Sequence, residues 1–97
     1  LCLVSGDKRC SLNKLKTILN EKDVAMAKPD DVKKITGYTI GGVSPVGHLS
    51  KLEIYVDNKL ERFKTVFAAA GHPNCVFKIE YKQLIELTSG EIKELTE

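Results

Sequence analysis

The segment TGYTIGGVSPVGH, residues 36–48, indicates more about the fold of this 97-residue sequence than any other stretch. Residues 37–50 hold four of the seven glycines, and their apolar residues follow neither the period of a strand nor that of a helix. We therefore predict a loop, whose central part, residues 41–48, is the glycine loop. Glycine lets the backbone turn where a Cβ would forbid it, and it lets a ligand approach the main-chain N–H groups closely.

The paired glycines Gly41 and Gly42 give this loop a potential chemistry. Successive N–H groups can converge on a phosphate, or on the oxyanion that forms when an ester carbonyl is attacked. Pro45 would stiffen the backbone between them. Most glycine-rich loops are only connections, and no strand–glycine-loop–helix nucleotide pattern is present, so the residues alone favour a plain connection by about two to one.

Hydrophobic patterning on both sides of the loop predicts short strands and helices in alternation. Ser11 is a candidate N-cap for an amphipathic helix, and Pro29 begins a second helix that ends at Gly37. Because the elements do not follow a strict βαβ rhythm, we expect an α+β fold with a mixed β-sheet or a partly closed barrel, flanked by short helices. Strands are predicted at 1–5, 24–27, 52–56, 66–70, 75–79 and 92–95, helices at 11–21, 29–36 and 81–88, and turns at 57–58 and 71–74.

Composition narrows the class of protein. No apolar stretch reaches the roughly 18 residues of a transmembrane helix, no leader precedes a cleavage site, and no repeat or linker interrupts the single domain. Three cysteines without a CxxC pair are typical of reduced thiols in a cytoplasmic protein, and favour buried apolar side chains over a metal site by about ten to one. Residues 1–52 carry nine Lys and Arg against five Asp and Glu, which suits a phosphate-bearing partner or an ordinary solvated face equally well.

Several motifs resemble those of the YbaK/prolyl-tRNA-synthetase-associated family of aminoacyl-tRNA editing domains, in both order and spacing. Gly41, Pro45 and Gly47 match the Gly-x-x-x-Pro-x-Gly core of that family. Further matching segments span nearly the whole chain: VSGDKR at 4–9, AMAKPDDV at 25–32, IYVD at 54–57 and AGHPNCVF at 70–77. Ala69 and Ala70 depart from the Ser and Gly of some members, so the pocket size and the substrate stay open.

The resemblance implies hydrolysis of the ester between a mischarged Cys, Ala or Pro analogue and the 3′ end of its tRNA, without metal or cofactor. Such a second hydrolytic site restores the accuracy that one synthetase pocket cannot reach for small apolar amino acids. A synthetase is an implied partner alongside the tRNA acceptor end. The implied substrate-binding residues are Gly41, Gly42, Val43, Ser44, Pro45, Gly47, His48, Gly71 and His72.

The resemblance also implies that a lysine in a strand-helix segment upstream of Leu1 contacts the substrate. The sequence opens on an apolar run and its only methionine is Met26, so we expect the chain to begin inside the domain. The catalytic residue is therefore unassigned within the chain, and apolar surface left uncovered would favour an oligomer.

The polar residues each have a plainer interpretation. Ser44 has no His or Asp partner at a recognisable spacing, so a turn residue or hydroxyl donor is favoured over a nucleophile by about four to one. His48 and His72 can contact ligand or transfer protons, but exposed turn histidines are favoured by about two to one. Lys8 and Arg9 are candidates for tRNA phosphate contacts or for simple solvation. Asp57 is expected to be a turn residue rather than a catalyst.

Two other functions remain open from sequence. One is a module of the same fold that binds tRNA or a synthetase without hydrolysing an ester. The absence of the family's lysine favours this function. An editing insertion of a larger prolyl-tRNA synthetase would require synthetase sequence on both sides of the domain. Sequence upstream of Leu1 would distinguish these two functions and the editing deacylase from one another.

Overall fold

Residues 1–72 and 74–96 are described by the computed structural model, and within them five strands, three helices and one 3₁₀ helix form. The α+β class predicted from the sequence is confirmed. The elements in chain order are β1 (Cys2–Leu3), α1 (Leu12–Leu19), α2 (Pro29–Thr36), β2 (Tyr55–Asp57), the 3₁₀ helix (Asn58–Arg62), β3 (Thr65–His72), β4 (Cys75–Glu80), α3 (Tyr81–Thr88) and β5 (Glu91–Lys93).

The strands form two small open sheets and, within the described residues, no closed barrel. In the first sheet, β1, β2 and β5 are parallel and lie in the order β1-β2-β5, with Leu3 opposite Val56 and Val56 opposite Ile92. In the second, β3 and β4 form an antiparallel hairpin whose register is irregular between Ala69 and His72. The turn predicted at 71–74 begins later than expected, because Gly71 and His72 belong to β3, and Pro73 lies outside the described residues.

The hydrophobic core joins the two sheets through the 3₁₀ helix and α3. Val56, Leu60 and Tyr81 form its centre and are all buried. Partly buried side chains from β1, β3 and α3 pack against them, among them Leu3 and Val66. Leu3 of β1 and Val66 of β3 thus pack against the same core residues. Burial of these apolar side chains fixes the position of the two strands relative to each other.

Helices α1 and α2 follow the local signals in the sequence. The Ser11 hydroxyl accepts a hydrogen bond from the Lys14 N–H at 3.3 Å, as expected for an N-cap. Helix α2 begins at Pro29 and is capped by Gly37 at φ +83°, a left-handed conformation that glycine adopts without strain. The chain then enters the glycine loop directly.

Three expectations are corrected. Residues 24–27 form no strand: Met26 is 79% exposed, and no strand among the described residues supplies the hydrogen-bonding partner that a strand needs. The first and third predicted strands are shorter than their apolar runs, with only Cys2–Leu3 and Tyr55–Asp57 in the ladder. The segment 57–58 is not a turn, because Asp57 ends β2 and the 3₁₀ helix follows.

Asp57 is fully buried and holds the end of the described chain. Its Oδ1 accepts a hydrogen bond from the Leu95 N–H at 2.9 Å, and its Oδ2 accepts one from the Thr96 hydroxyl at 3.4 Å. Lys59 donates to the same Thr96 hydroxyl, and Lys14 donates to the Thr96 carbonyl at 2.6 Å. Asp57 is therefore a structural residue that attaches residues 95–96 to β2.

Candidate functional site

The glycine loop packs directly against the end of β3. Gly42 is buried, and a Cβ added to it would lie 3.0 Å from the N, Cα and C atoms of His72. A Cβ at this position would force the loop or the strand to shift by a few tenths of an ångström, so glycine permits the closest contact between the two backbones. The structure thus brings together two segments that the sequence analysis considered separately, the glycine loop and the end of β3 at Gly71 and His72.

Tyr38 lies where these two segments meet. A Cβ on Gly47 would lie 2.7 Å from the Tyr38 hydroxyl oxygen, and a Cβ on Gly71 would lie 3.2 Å from its ring. The hydroxyl donates a hydrogen bond to the Val46 carbonyl at 2.8 Å. Sequence reasoning missed Tyr38 as a site residue, although it stands inside the quoted segment; its aromatic side chain three residues before Gly41 was the signal available.

Ser44 and His48 make hydrogen bonds to other residues of the glycine loop. The Val46 N–H donates to the Ser44 hydroxyl at 3.4 Å, and Ser44 is buried. The Nε2 of His48 lies 2.7 Å from the Ser44 carbonyl, so this nitrogen carries the hydrogen and donates it. The rings of His48 and Tyr38 meet edge to face, with centroids 6.0 Å apart. The expectation of an exposed turn histidine is wrong for His48, which is half-buried and bonded to the loop.

His72 is exposed as expected, but it is the last residue of β3 and not a turn residue. Its side chain is exposed, and its Nδ1 accepts a hydrogen bond from the Asn74 N–H at 3.1 Å. Cys75 lies opposite it in the β3–β4 ladder and is also exposed, so this cysteine is not the buried apolar side chain that the composition suggested.

An apolar cleft of about 220 Å³ opens beside the glycine loop. Val43 and Pro45 form its wall on the loop side, and Ala68 and Ala69 form part of the β3 side. The small alanine side chains leave this space open. The remaining lining residues come from β1 and its end, from β3, the 3₁₀ helix and α3: Cys2, Leu3, Val4, Leu60, Val66, Phe67 and Leu84.

Within the loop, Gly41 and Gly42 form a tight turn. Gly41 has φ +89°, and the Gly42 N–H donates to the Thr39 carbonyl at 3.0 Å. That hydrogen bond occupies the Gly42 donor. The N–H of Gly42, which the glycine pattern had marked for ligand contact, is therefore engaged in closing the turn.

Lys8 and Arg9 lie exposed on the turn that follows β1. The Lys8 N–H donates a hydrogen bond to the Ser5 carbonyl at 3.0 Å. Lys8 is four residues from Val4, which lines the cleft, so the Cα atoms of the two residues are at most about 14 Å apart. Asp7 on the same turn is held by Arg62, whose Nη2 lies 2.8 and 3.0 Å from its two carboxylate oxygens.

The charge of Asp7 is therefore neutralised locally. Hydrogen bonds from the Ser5 hydroxyl and from the Arg62 guanidinium lower the pKa of Asp7 below its usual value. Arg62 also lies over the Phe63 ring at 4.5 Å, so this side chain is fixed on both sides. The positive charge of Lys8 and Arg9 consequently dominates the turn.

In residues 1–72 and 74–96, no group of three or more His, Cys, Asp or Glu side chains is arranged to hold a metal ion. None of the helices described is long and apolar enough to cross a membrane.

Residues 1–87 match the family model described as the aminoacyl-tRNA editing domain. The chain belongs to this family. It is 34% identical over 92 residues to the protein YwhH of Bacillus subtilis, and 25% identical over 96 residues to the candidate Cys-tRNA(Pro)/Cys-tRNA(Cys) deacylase EbsC of Enterococcus faecalis. The matches cover 95% and 99% of this chain, which spans 58% of the length of each relative.

The fold agrees with the family. The crystal structure of a candidate trans-editing enzyme for prolyl-tRNA synthetase superimposes with a TM-score of 0.96 at 38% sequence identity. The match covers all of this chain and 61% of that one. The editing-domain resemblance inferred from the sequence motifs is thereby confirmed.

Proposed function

We propose that this editing domain is a deacylase that hydrolyses the ester of a mischarged aminoacyl-tRNA, with the amino acid held between the glycine loop and the end of β3. The observation that supports the proposal is that the glycine loop and β3 lie against each other, in contact at Gly42 and His72, and that both line one apolar cleft. Membership of the editing family and the deacylase and trans-editing names of its relatives support this reaction class.

The loop backbone supplies the electrostatic part of the reaction. When water attacks the ester carbonyl, negative charge develops on its oxygen, and fixed N–H donors stabilise that oxyanion. We assign this role to the N–H groups of Val43 and Ser44, because the Gly42 N–H is bonded to Thr39 and Pro45 has none. The leaving group is the terminal ribose hydroxyl of the tRNA, which takes up a proton as the ester bond breaks.

His72 lies at the end of β3, beyond the residues that line the cleft, and we assign its exposed side chain to contact with the substrate. Its Nδ1 is engaged with the Asn74 N–H, so Nε2 is the atom that would meet the ester or the terminal ribose. Ser44 and His48, by contrast, hold the loop together, and Gly47 and Gly71 make room for Tyr38. Among the predicted site residues, Val43 and Pro45 would contact the amino-acid side chain.

The cleft favours a small uncharged amino acid. Its walls are apolar, and a charged side chain entering it would lose hydration without gaining a partner. Ala, Cys and Pro analogues satisfy this requirement. A synthetase that releases such mischarged tRNAs, prolyl-tRNA synthetase foremost, is the partner we propose.

The proposal is tested by measuring release of labelled amino acid from tRNAs charged with Ala, Cys, Pro, Asp or Lys, using the complete natural polypeptide that contains this chain. We expect at least one of the three small uncharged esters to be hydrolysed at least about tenfold faster than the Asp and Lys esters. Hydrolysis of none of them would reject the deacylase. Saturable tRNA binding without hydrolysis would instead support the binding-module alternative.

Lys8 and Arg9 are proposed to contact tRNA phosphates. Each phosphate contact contributes roughly 0.7 to 0.9 to the slope of log affinity against log salt, so Lys8→Ala with Arg9→Ala should reduce that slope by about 1.5. The measurement is tRNA binding over a range of salt concentrations. Lys22→Ala with Lys93→Ala is the matched control, because both side chains are exposed in segments that do not line the cleft. Equal slopes for the two double variants would place the tRNA elsewhere.

A further inference from the structure

Tyr38 is the side chain that contacts both walls of the proposed site. On the loop side its hydroxyl lies beneath Gly47, and on the hairpin side its ring lies beneath Gly71. Both glycines have a positive φ, +75° and +94°, which other residues rarely adopt. Gly47 and Gly71, the two residues with this unusual backbone conformation, therefore both lie against the side chain of Tyr38.

The hydroxyl of Tyr38 adds a directed contact to this packing. It donates to the Val46 carbonyl at 2.8 Å, and so connects two positions eight residues apart in the chain, one before the glycine loop and one within it. The backbone of Tyr38 is itself fixed, because its N–H donates at 3.1 Å to the hydroxyl of Thr36, a buried residue at the end of α2. The ring consequently connects a helix end to the loop.

We infer that Tyr38 is a positioning residue, which holds the glycine loop in register with the end of β3 so that the Val43 and Ser44 N–H groups stay aimed at the ester. This inference rests on the proposed function for its effect on rate, but its structural part is independent of any substrate. Tyr38 does not touch the reacting atoms. It acts through the loop, whose donors stabilise charge only if they are fixed in advance.

Two parts of the side chain can be separated by mutation. Tyr38→Phe removes only the hydrogen bond to Val46, whereas Tyr38→Leu also removes the ring that supports Gly47 and Gly71. We expect kcat to fall about five- to tenfold for Tyr38→Phe, as for loss of one neutral hydrogen bond, and about a hundredfold for Tyr38→Leu. KM should change less than kcat in the Phe variant, because the donors act most strongly on the transition state.

Tyr55→Phe is the matched control. Its hydroxyl also makes one hydrogen bond, to the exposed Glu53 carboxylate at 3.1 Å, but on β2, whose residues do not line the cleft. The complete natural polypeptide is used for all variants. Amide hydrogen exchange is measured beside the kinetics, comparing residues 41–48 with residues 81–88 of α3.

Faster exchange confined to the loop in Tyr38→Phe, with lower kcat and normal α3 protection, would support the positioning role. Unchanged loop exchange, or a kcat equal to that of Tyr55→Phe, would overturn it. Equal acceleration of exchange in α3 would also overturn it, since that result indicates general destabilisation. If the wild-type protein hydrolyses no ester, the proposed function fails, while the exchange comparison still decides whether Tyr38 holds the loop.

Discussion

Gly42→Val is expected to lower the rate of ester hydrolysis by about a hundredfold or more, the loss associated with a displaced oxyanion donor. The backbone of Gly42 does not have a positive φ, so a side chain is not excluded by conformation. The obstacle is contact, because a Cβ would meet three backbone atoms of His72 at 3.0 Å. Loop and strand must then separate, and the Val43 and Ser44 donors move with the loop.

Gly6→Val is the matched control for this substitution. Apart from its two chain neighbours, no described residue has a heavy atom within 4 Å of a Cβ built on Gly6, and the φ of Gly6 is also outside the positive range. Single-turnover hydrolysis of the preferred misacylated tRNA is measured for both variants, with circular dichroism to verify folding. Gly42→Ala should give an intermediate loss of about tenfold, since it adds only the Cβ. A folded Gly42→Val variant with wild-type turnover would remove the glycine loop from the site.

Asp57→Ala is expected to lower the free energy of unfolding by about 3 kcal/mol, because it deprives both the Leu95 N–H and the buried Thr96 hydroxyl of the carboxylate that accepts their hydrogen bonds. Asp57→Asn keeps one acceptor oxygen and should lose less. Urea unfolding is the measurement.

Asp23→Ala is the control for Asp57→Ala, since Asp23 is exposed in the irregular segment after α1. Its substitution should change the unfolding free energy by no more than about 0.5 kcal/mol. If Asp57→Ala lost as little as Asp23→Ala, the buried carboxylate would not be what attaches residues 95–96 to β2. Hydrolysis under folding conditions should remain, because Asp57 does not line the cleft.

The local elements could be predicted from sequence because their signals lie within a few residues of each other. Ser11 caps α1, Pro29 begins α2 and Gly37 ends it. The hairpin of β3 and β4 was likewise predicted from two apolar runs around one turn. Where the signal was an apolar run alone, as at 24–27, the prediction was wrong, since a strand also requires a partner elsewhere in the chain.

The sequence by itself determined the family, through the glycine loop and the motifs around it, and the position of the loop after α2. Only the tertiary structure decided what the loop contacts. Gly42 against His72, Arg62 with Asp7 across 55 residues, and Asp57 with Thr96 across 39 are contacts between distant segments. Such pairings arise when burial of the shared core brings β1, β3 and the chain end together, and no spacing within one segment records them.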